Sequence, residues 1–292
     1  AKPKKQKLKN FKNYLFFSNK QSIFDYITFK NPDLIIDLLG NNFLIKTWKI
    51  RNFIYKNNYN TLSLRRGLQP KIYFSFIESL KIFLFNHKYF FNSLVNFLSK
   101  KIIKIVYSDV LPKYYVSSAL KSDNFKFQLK KYFLYSYDYE NYLSNKNKKK
   151  ILKSKYALFI DENIVYHPDY HNSNYPRPPV SEKNYYKTLK KFFQNFEKKN
   201  KLKVVIALHP STEKKILKYF KDFKFYYNLT GRLVKDATIV LIHSSTTKHL
   251  AAIYGKPMIY LTSDEINQSW FRPYIFQNSK LFDSQLINID EE

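Results

Sequence analysis

Three short polar clusters hold the residue types that can do chemistry. Asp161 and Glu162 close the apolar run "YALFI", His209 closes "VVIAL", and His243-Ser244-Ser245-Thr246-Thr247 closes "IVLI". A carboxylate at the first position can take a proton from an attacking hydroxyl as a general base. It can equally cap a helix or sit in a surface ion pair. The imidazole at the second can donate a proton or a hydrogen bond to a phosphate, or be a loop histidine satisfied by backbone. The hydroxyls at the third precede a helix-like run, Lys248 to Tyr254. A helix N-terminus presents unpaired N–H groups and the positive end of the helix dipole, so it suits an anion. Capping needs one Ser or Thr; four after a histidine exceed that need.

Weaker candidates lie between these clusters. A second His-Pro, His167-Pro168, falls in the proline-rich loop "YHPDYHNSNYPRPPV" rather than directly after an apolar run. Tyr166, His167, Asp169, Tyr170 and His171 could form an acceptor-binding loop, and His167, Asp169 and His171 are suitable metal ligands by type. Their alternate spacing in a loop favours neither role. The nearest thing to an Asp-x-Asp metal motif is "DYE" at Asp138 to Glu140. No metal and no cofactor are expected.

The elements that must position the clusters are legible from periodicity. "YALFIDEN", "IVLI" and "PMIYLT" read as strands, and "LKVVIALHPST" as a strand followed by a turn. Adjacent side chains on a strand point to opposite faces, so one of Asp161 and Glu162 is expected to face the site. Ser181 is a plausible N-cap for a helix with Tyr185, Leu189, Phe192, Phe193 and Phe196 on its apolar face. "EKKILKYF" reads as a further helix, opened by Ser211 and Thr212. Gly255 supplies the left-handed position that ends helices, and Pro257 stops continuation. Strands alternating with helices imply parallel sheets with crossover helices, in which ligands bind beyond the carboxyl ends of the strands. Before this half, the chain reads as a helix up to about Lys30, a strand at Pro32 to Asn42 with Asp37 and Gly40 near its end, helical spacing in "IKTWKIRNFIYK" and "FSFIESLKIFLF", and another short apolar run at Lys101 to Asp109 that ends in polar residues. The Lys/Asn-rich stretch Asn145 to Lys150 is the expected linker, dividing the chain into domains 1–150 and 151–292.

Composition narrows the function classes. The chain has 292 residues, no Cys and 4 Gly. Disulfides, thiolate metal sites and cysteine nucleophiles are therefore excluded. The formal net charge is +29, with Lys spread along the whole length. Such a field draws anions: nucleic acid, an acidic membrane, or phosphorylated and carboxylated substrates. No run long and apolar enough to span a bilayer occurs, and the basic start "AKPKKQKLKN" is not followed by a signal-peptide core.

The ordered set of an acidic pair, His-Pro and Ser-Ser, here "FIDENIV", "IALHPST" and "LIHSSTT", resembles bacterial sialyltransferases of the GT-B type and related transferases of nonulosonic acids and Kdo. "PPVSEKNYY" and "LIHSSTTKHLAAIYGKPMIYLT" are also similar to proteins from surface-polysaccharide loci. The resemblance spans about Tyr156 to Asp264. In that family the acidic pair is usually followed by Gly; here Asn163 stands in its place. The resemblance implies an α/β GT-B fold, two Rossmann-like domains with parallel sheets facing a cleft, the acceptor on the N-terminal side and the donor on the C-terminal side. It implies Asp161 as general base with Glu162 as alternate. His209 would meet the departing phosphate, and Ser244 and Ser245 that phosphate or the donor's carboxylate, with Pro210, Ser211, Thr212, His243 and Thr246 completing the donor site. The donor would be a CMP-activated acid sugar, used without metal. The acceptor would be a glycan or glycolipid at an anionic membrane surface, with the protein cytoplasmic and peripheral at the inner face of the cytoplasmic membrane. The alternatives are a transferase or epimerase using a UDP- or GDP-sugar on the same fold, and a basic nucleic-acid-binding protein. No recognition helix or nucleic-acid motif supports the last, and no nucleic acid is expected.

Overall fold

The computed structural model describes residues 15, 17, 19–38, 45–65, 72–85, 91, 94–95, 97–98, 113–118, 130–171 and 178–291. Gly40 and the apolar run at Lys101 to Asp109 lie outside them. The chain divides into two compact units.

The first unit comprises residues 1–65, 96–117 and 122–132. Its helices are α1 (Lys20–Lys30) and α2 (Ile45–Lys56), and its strands are β1 (Ile35–Asp37), β2 (Thr61–Arg65), β3 (Tyr114–Ser117) and β4 (Lys130–Phe133). The sheet order is β1-β2-β3-β4, with β1 on β2 and β2 on β3 parallel. Asn19 caps α1 through the N–H of Ser22 at 2.9 Å. Phe24 stacks on Phe53, joining α1 to α2. Asp37, buried at the end of β1, takes a bidentate contact from Arg51 at 2.7 and 3.2 Å and a hydrogen bond from the Tyr55 hydroxyl at 2.8 Å. A buried carboxylate needs such partners, and these lock α2 onto the sheet.

The second unit comprises residues 66–95, 118–121 and 133–292. Its sheet runs β10-β9-β8-β5-β6-β7, from strands β5 (Tyr156–Ile160), β6 (Lys203–Leu208), β7 (Lys224–Tyr227), β8 (Ile239–Ile242), β9 (Met258–Thr262) and β10 (Gln285–Asn288). Every pairing is parallel. Counted from β5, this is the doubly wound order 3-2-1-4-5-6, in which the chain reverses direction across the sheet between β5 and β8. The central strands are buried on both faces, which is why they read as continuous apolar runs rather than alternations.

The helices of this unit are α3 (Phe76–Phe85), α4 (Tyr137–Asn145), α5 (Glu182–Asn200), α6 (Leu217–Phe220), α7 (Thr230–Asp236), α8 (Lys248–Ile253), α9 (Asp264–Gln268) and α10 (Arg272–Leu281). In α5 the expected face, Tyr185, Leu189, Phe192, Phe193 and Phe196, is buried, together with Tyr186. Ser181 occupies its N-cap position, but its hydroxyl donates to Glu265 at 2.6 Å instead of capping. Gly255 adopts φ +62°, the left-handed end expected of it. Ser211 and Thr212 do not open a helix directly: a 3-10 turn at Lys214–Ile216 precedes α6. The expected division at residue 150 falls inside this unit's last continuous stretch, because α4 packs on α7 and α8. Tyr139 stacks on Tyr142, whose ring lies 4.9 Å from Tyr254. A Cβ on Gly231 would come within 2.2 Å of Asn141 Oδ1, so glycine there allows α7 to approach α4.

Leu189 is completely buried between α5 and the sheet. Leu189→Ala should cost about 2–5 kcal/mol of stability, read as a lower urea midpoint by circular dichroism.

Candidate functional site

The three polar clusters converge. A cavity of about 430 Å³ lies at the carboxyl ends of β5, β6 and β8, where the chain reverses direction across the sheet. Of the residues expected there, Asp161, Glu162, His209, Pro210, Ser244, Ser245 and Thr246 line it. Ser211, Thr212 and the His243 ring do not; they support those that do.

Both carboxylates line the cavity, contrary to the expected alternation, because strand geometry ends at Ile160. Asp161 turns toward the loop after β6. Its Oδ2 accepts from the Thr212 hydroxyl at 2.7 Å and the His209 N–H at 3.4 Å, and its Oδ1 accepts from the Asn163 N–H at 2.9 Å. Burial raises its pKa, and these three donors oppose the rise. Glu162 turns toward the loop after β8. Its Oε1 accepts from the N–H groups of His243 at 3.1 Å and Ser244 at 2.6 Å. Burial pushes its carboxyl up to about 7, against those N–H groups and the nearby Lys248 charge. The anion held at the head of this turn is therefore the protein's own carboxylate. The run is not a helix cap either: Thr247 occupies the N-cap position of α8 and makes no side-chain capping bond.

Asn163 explains the departure from Gly after the acidic pair. Its φ is +50°, a left-handed conformation that Gly adopts freely and Asn tolerates better than other residues. Asn adds what Gly lacks: its Nδ2 donates to the Tyr166 carbonyl at 3.2 Å, the Ser211 carbonyl at 3.3 Å and the Ser211 hydroxyl at 3.2 Å. It is fully buried, tying the β5 loop to the β6 loop.

His209 accepts at Nδ1 from the Ser211 N–H at 3.2 Å, with the Ser211 hydroxyl 2.6 Å from the same nitrogen. The neutral ring therefore carries its proton on Nε2. Burial and the neighbouring His167 lower its pKa, with Asp161 and Asp169 opposing. His243 is different. It is fully buried, its Nδ1 lies 2.7 Å from the Leu261 carbonyl, and its Nε2 lies 2.7 Å from the Tyr185 hydroxyl. Nδ1 must donate to the carbonyl, so Nε2 accepts from Tyr185. Burial drives its pKa down to about 4. Its ring is a strut, and only its backbone N–H takes part in holding Glu162.

The structure adds residues that sequence reasoning passed over. Lys248 is buried at the head of α8 and lines the cavity; burial lowers its pKa, against Glu162 and Asp138. Its position directly after the hydroxyl run was a usable signal. Asn278 donates to the Ser244 hydroxyl at 3.1 Å. Trp270, Phe271 and Tyr274 form an aromatic wall, with Phe271 and Tyr274 stacked. They follow β9, another strand end, in "SWFRPY". His167 and, on the 3-10 turn Pro168–His171 that follows it, Asp169 and Tyr170 also line the cavity. Among the described residues no cluster of three or more His, Asp or Glu is arranged to hold a metal ion.

No protein-family model matches the chain, and no curated protein matches it. Solved structures do. The chain superposes on the calicheamicin glycosyltransferase CalG4 with a TM-score of 0.50 at 14% identity, over 92% of this chain and 64% of that one. For UDP-GlcNAc 2-epimerase from Methanocaldococcus jannaschii the TM-score is 0.49 at 12% identity, over 92% and 70% of the two chains. For MurG of Acinetobacter baumannii it is 0.42 at 7% identity, over 93% and 64%. The chain thus spans 64% to 70% of these structures' lengths. Likeness at such identity concerns the fold. With two α/β units built on parallel strand pairs, it defines a GT-B fold.

Two measurements test this geometry. Asn163→Gly should fold, whereas Asn163→Ala should lose about 1–2 kcal/mol from left-handed strain on top of its lost hydrogen bonds, compared by urea unfolding. Glu162 has an ordinary pKa of 4.5 and a folded value of about 7, so the native state keeps a proton that the unfolded chain releases. Its contribution to stability is then full below pH 4.5 and declines as pH rises through 7. Glu162→Gln should lose that slope, so the stability difference between wild type and variant should change with pH across this window.

Proposed function

We propose that the chain is a GT-B glycosyltransferase that moves an acidic sugar from a CMP-activated donor to a surface glycan or glycolipid. The observation that carries this reading is the gathering of Glu162, His209, Ser244 to Thr246 and Lys248 around one cavity at the sheet's switch point. A base and two groups of anion-binding donors are what a displacement at an anomeric carbon needs. A CMP-activated acid sugar carries one phosphate and one carboxylate. The cavity offers two separate sets of donors, His209 after β6 and the hydroxyl run with Lys248 after β8. The order of the acidic pair, His-Pro and Ser-Ser motifs supports the same donor class.

Of the two carboxylates, Glu162 suits the base better than Asp161. A base works best with a pKa near the working pH, and Glu162 sits at about 7. Asp161 accepts three hydrogen bonds and anchors the His209 turn. In the step, the acceptor hydroxyl oxygen bonds to the anomeric carbon and gives its proton to Glu162. The bond from that carbon to the phosphate oxygen breaks, and CMP leaves with the electron pair. Nε2–H of His209 meets the oxyanion that develops. Trp270, Phe271 and Tyr274 supply an aromatic wall for the nucleotide or sugar ring.

The partner surface in this reading is an anionic membrane at the cytoplasmic face. No helix among the described residues is long and apolar enough to cross a bilayer. Phe76, 83% exposed, and Ile77 and Leu80 on α3, also exposed, present an apolar face. Glu78 is the sole acidic residue between positions 66 and 108 of a chain with net charge +29. Basic residues near an anionic surface contribute about 1 kcal/mol each.

Calorimetric titration with CMP, UDP and GDP tests the donor class. Selective CMP binding is expected; preference for UDP or GDP would retain the fold and discard the acid-sugar donor. His209→Ala should lower transfer about 10²–10⁴-fold with the fold intact, and near wild-type turnover would remove its role. Phe76→Ser with Ile77→Ser should reduce co-sedimentation with phosphatidylglycerol vesicles while leaving CMP affinity unchanged.

A further inference from the structure

The chain contains His-Pro twice, and the proposed reaction uses only the second. The two copies share one local contact. In His209-Pro210-Ser211 the N–H two residues on donates to the ring's Nδ1 at 3.2 Å. In His167-Pro168-Asp169 the same N–H donates to Nδ1 at 3.3 Å. At His209 this sets the neutral ring with its proton on Nε2; at His167 the Asp169 N–H favours the same tautomer, and the Asp169 carboxylate lies 3.5 Å from the same nitrogen. Neither Nε2 makes a hydrogen bond among the described residues. The two ring centroids are 5.2 Å apart, and both rings line the cavity.

The geometry points to His167 as the second half of an anion clamp: the two imidazoles receive one phosphate oxyanion through their Nε2–H groups. This rests on the nucleotide-sugar reading above and names its phosphate subsite. The elements make the pairing. His209 arrives on the loop after β6, and His167 on the loop after β5, the neighbouring parallel strand. Asn163 ties those loops together through Tyr166 and Ser211, the residues beside each histidine's motif. Tyr170 fixes the His167 turn from the other side by donating to the Ile164 carbonyl at 2.9 Å. Adjacent imidazolium ions repel, and His167 already opposes the charging of His209. Charge on the His209 ring is favoured as the oxyanion develops, when it helps most.

The test uses the two amides that mimic the two ring nitrogens. Asn places its polar atoms near Nδ1 and can keep the contact to the Asp169 N–H, but nothing reaches the Nε2 position. Gln reaches the Nε2 position with an N–H donor. The clamp requires His167→Asn to weaken binding of CMP and of inorganic phosphate about tenfold or more, the scale of one hydrogen bond to a charged group. His167→Gln should recover part of that loss. If His167 merely shaped the loop through Nδ1, the order would reverse, with Asn tolerated and Gln defective. That reversal, or equal affinity in all three proteins, would overturn the clamp while leaving the nucleotide reading standing. Absence of CMP and phosphate binding by the wild type would remove the reading and the clamp together. Matching thermal midpoints for the variants show that the loop remains folded.

Discussion

Two adjacent buried carboxylates at the end of β5 hold the site together. Asp161 binds the loop after β6 and Glu162 the loop after β8, the strands on either side of β5. Because the chain reverses direction across the sheet at this point, the two loops diverge from β5 and leave a cavity between them. Neither carboxylate is stable in such a place without donors. Backbone N–H groups, a threonine hydroxyl and a nearby lysine supply them. The same contacts that satisfy the carboxylates place His209, Ser244 and Lys248 around the cavity.

This arrangement divides the polar residues into struts and presenters. Asp161, Thr212, Asn163 and His243 are buried and bonded, and they fix where the loops run. His209, Ser244, Ser245, Thr246 and Lys248 meet the cavity on that support. His243 shows how the two roles differ. Both of its ring nitrogens are engaged by Leu261 and Tyr185, so its chemistry is spent on locking β8 against β9 and α5. Glu162 stands between the groups, bonded to the turn like a strut yet poised near neutrality like a participant.

Much of the second unit was legible in the sequence. The central strands of its sheet are buried on both faces, so their apolar runs were continuous, and the buried face of α5 followed from helical spacing. Polar residues placed directly after those runs had to fall at strand ends. The rest was not legible, for identifiable reasons. His167 sits in a loop with no periodicity, just before a 3-10 turn, and Asn163's hydrogen bonds to Tyr166 and Ser211 tie that loop to the one carrying His209. The aromatic wall follows β9 in a segment whose course depends on α9 and α10 packing. The Lys/Asn-rich stretch after α4 looked like a linker because it is polar. Yet α4 itself is docked by tyrosines whose partners lie more than a hundred residues away.

What the sequence determined by itself was the alternation of strands and helices, the parallel sheets it requires, and the three polar clusters at strand ends. These are local consequences of hydrophobic period and turn chemistry. Only the tertiary structure decided which carboxylate faces which loop, that the hydroxyl run holds Glu162, and that His243 supports while His167 presents. Those outcomes depend on strand order and on hydrogen bonds between distant segments, and burial is what makes each of those bonds obligatory.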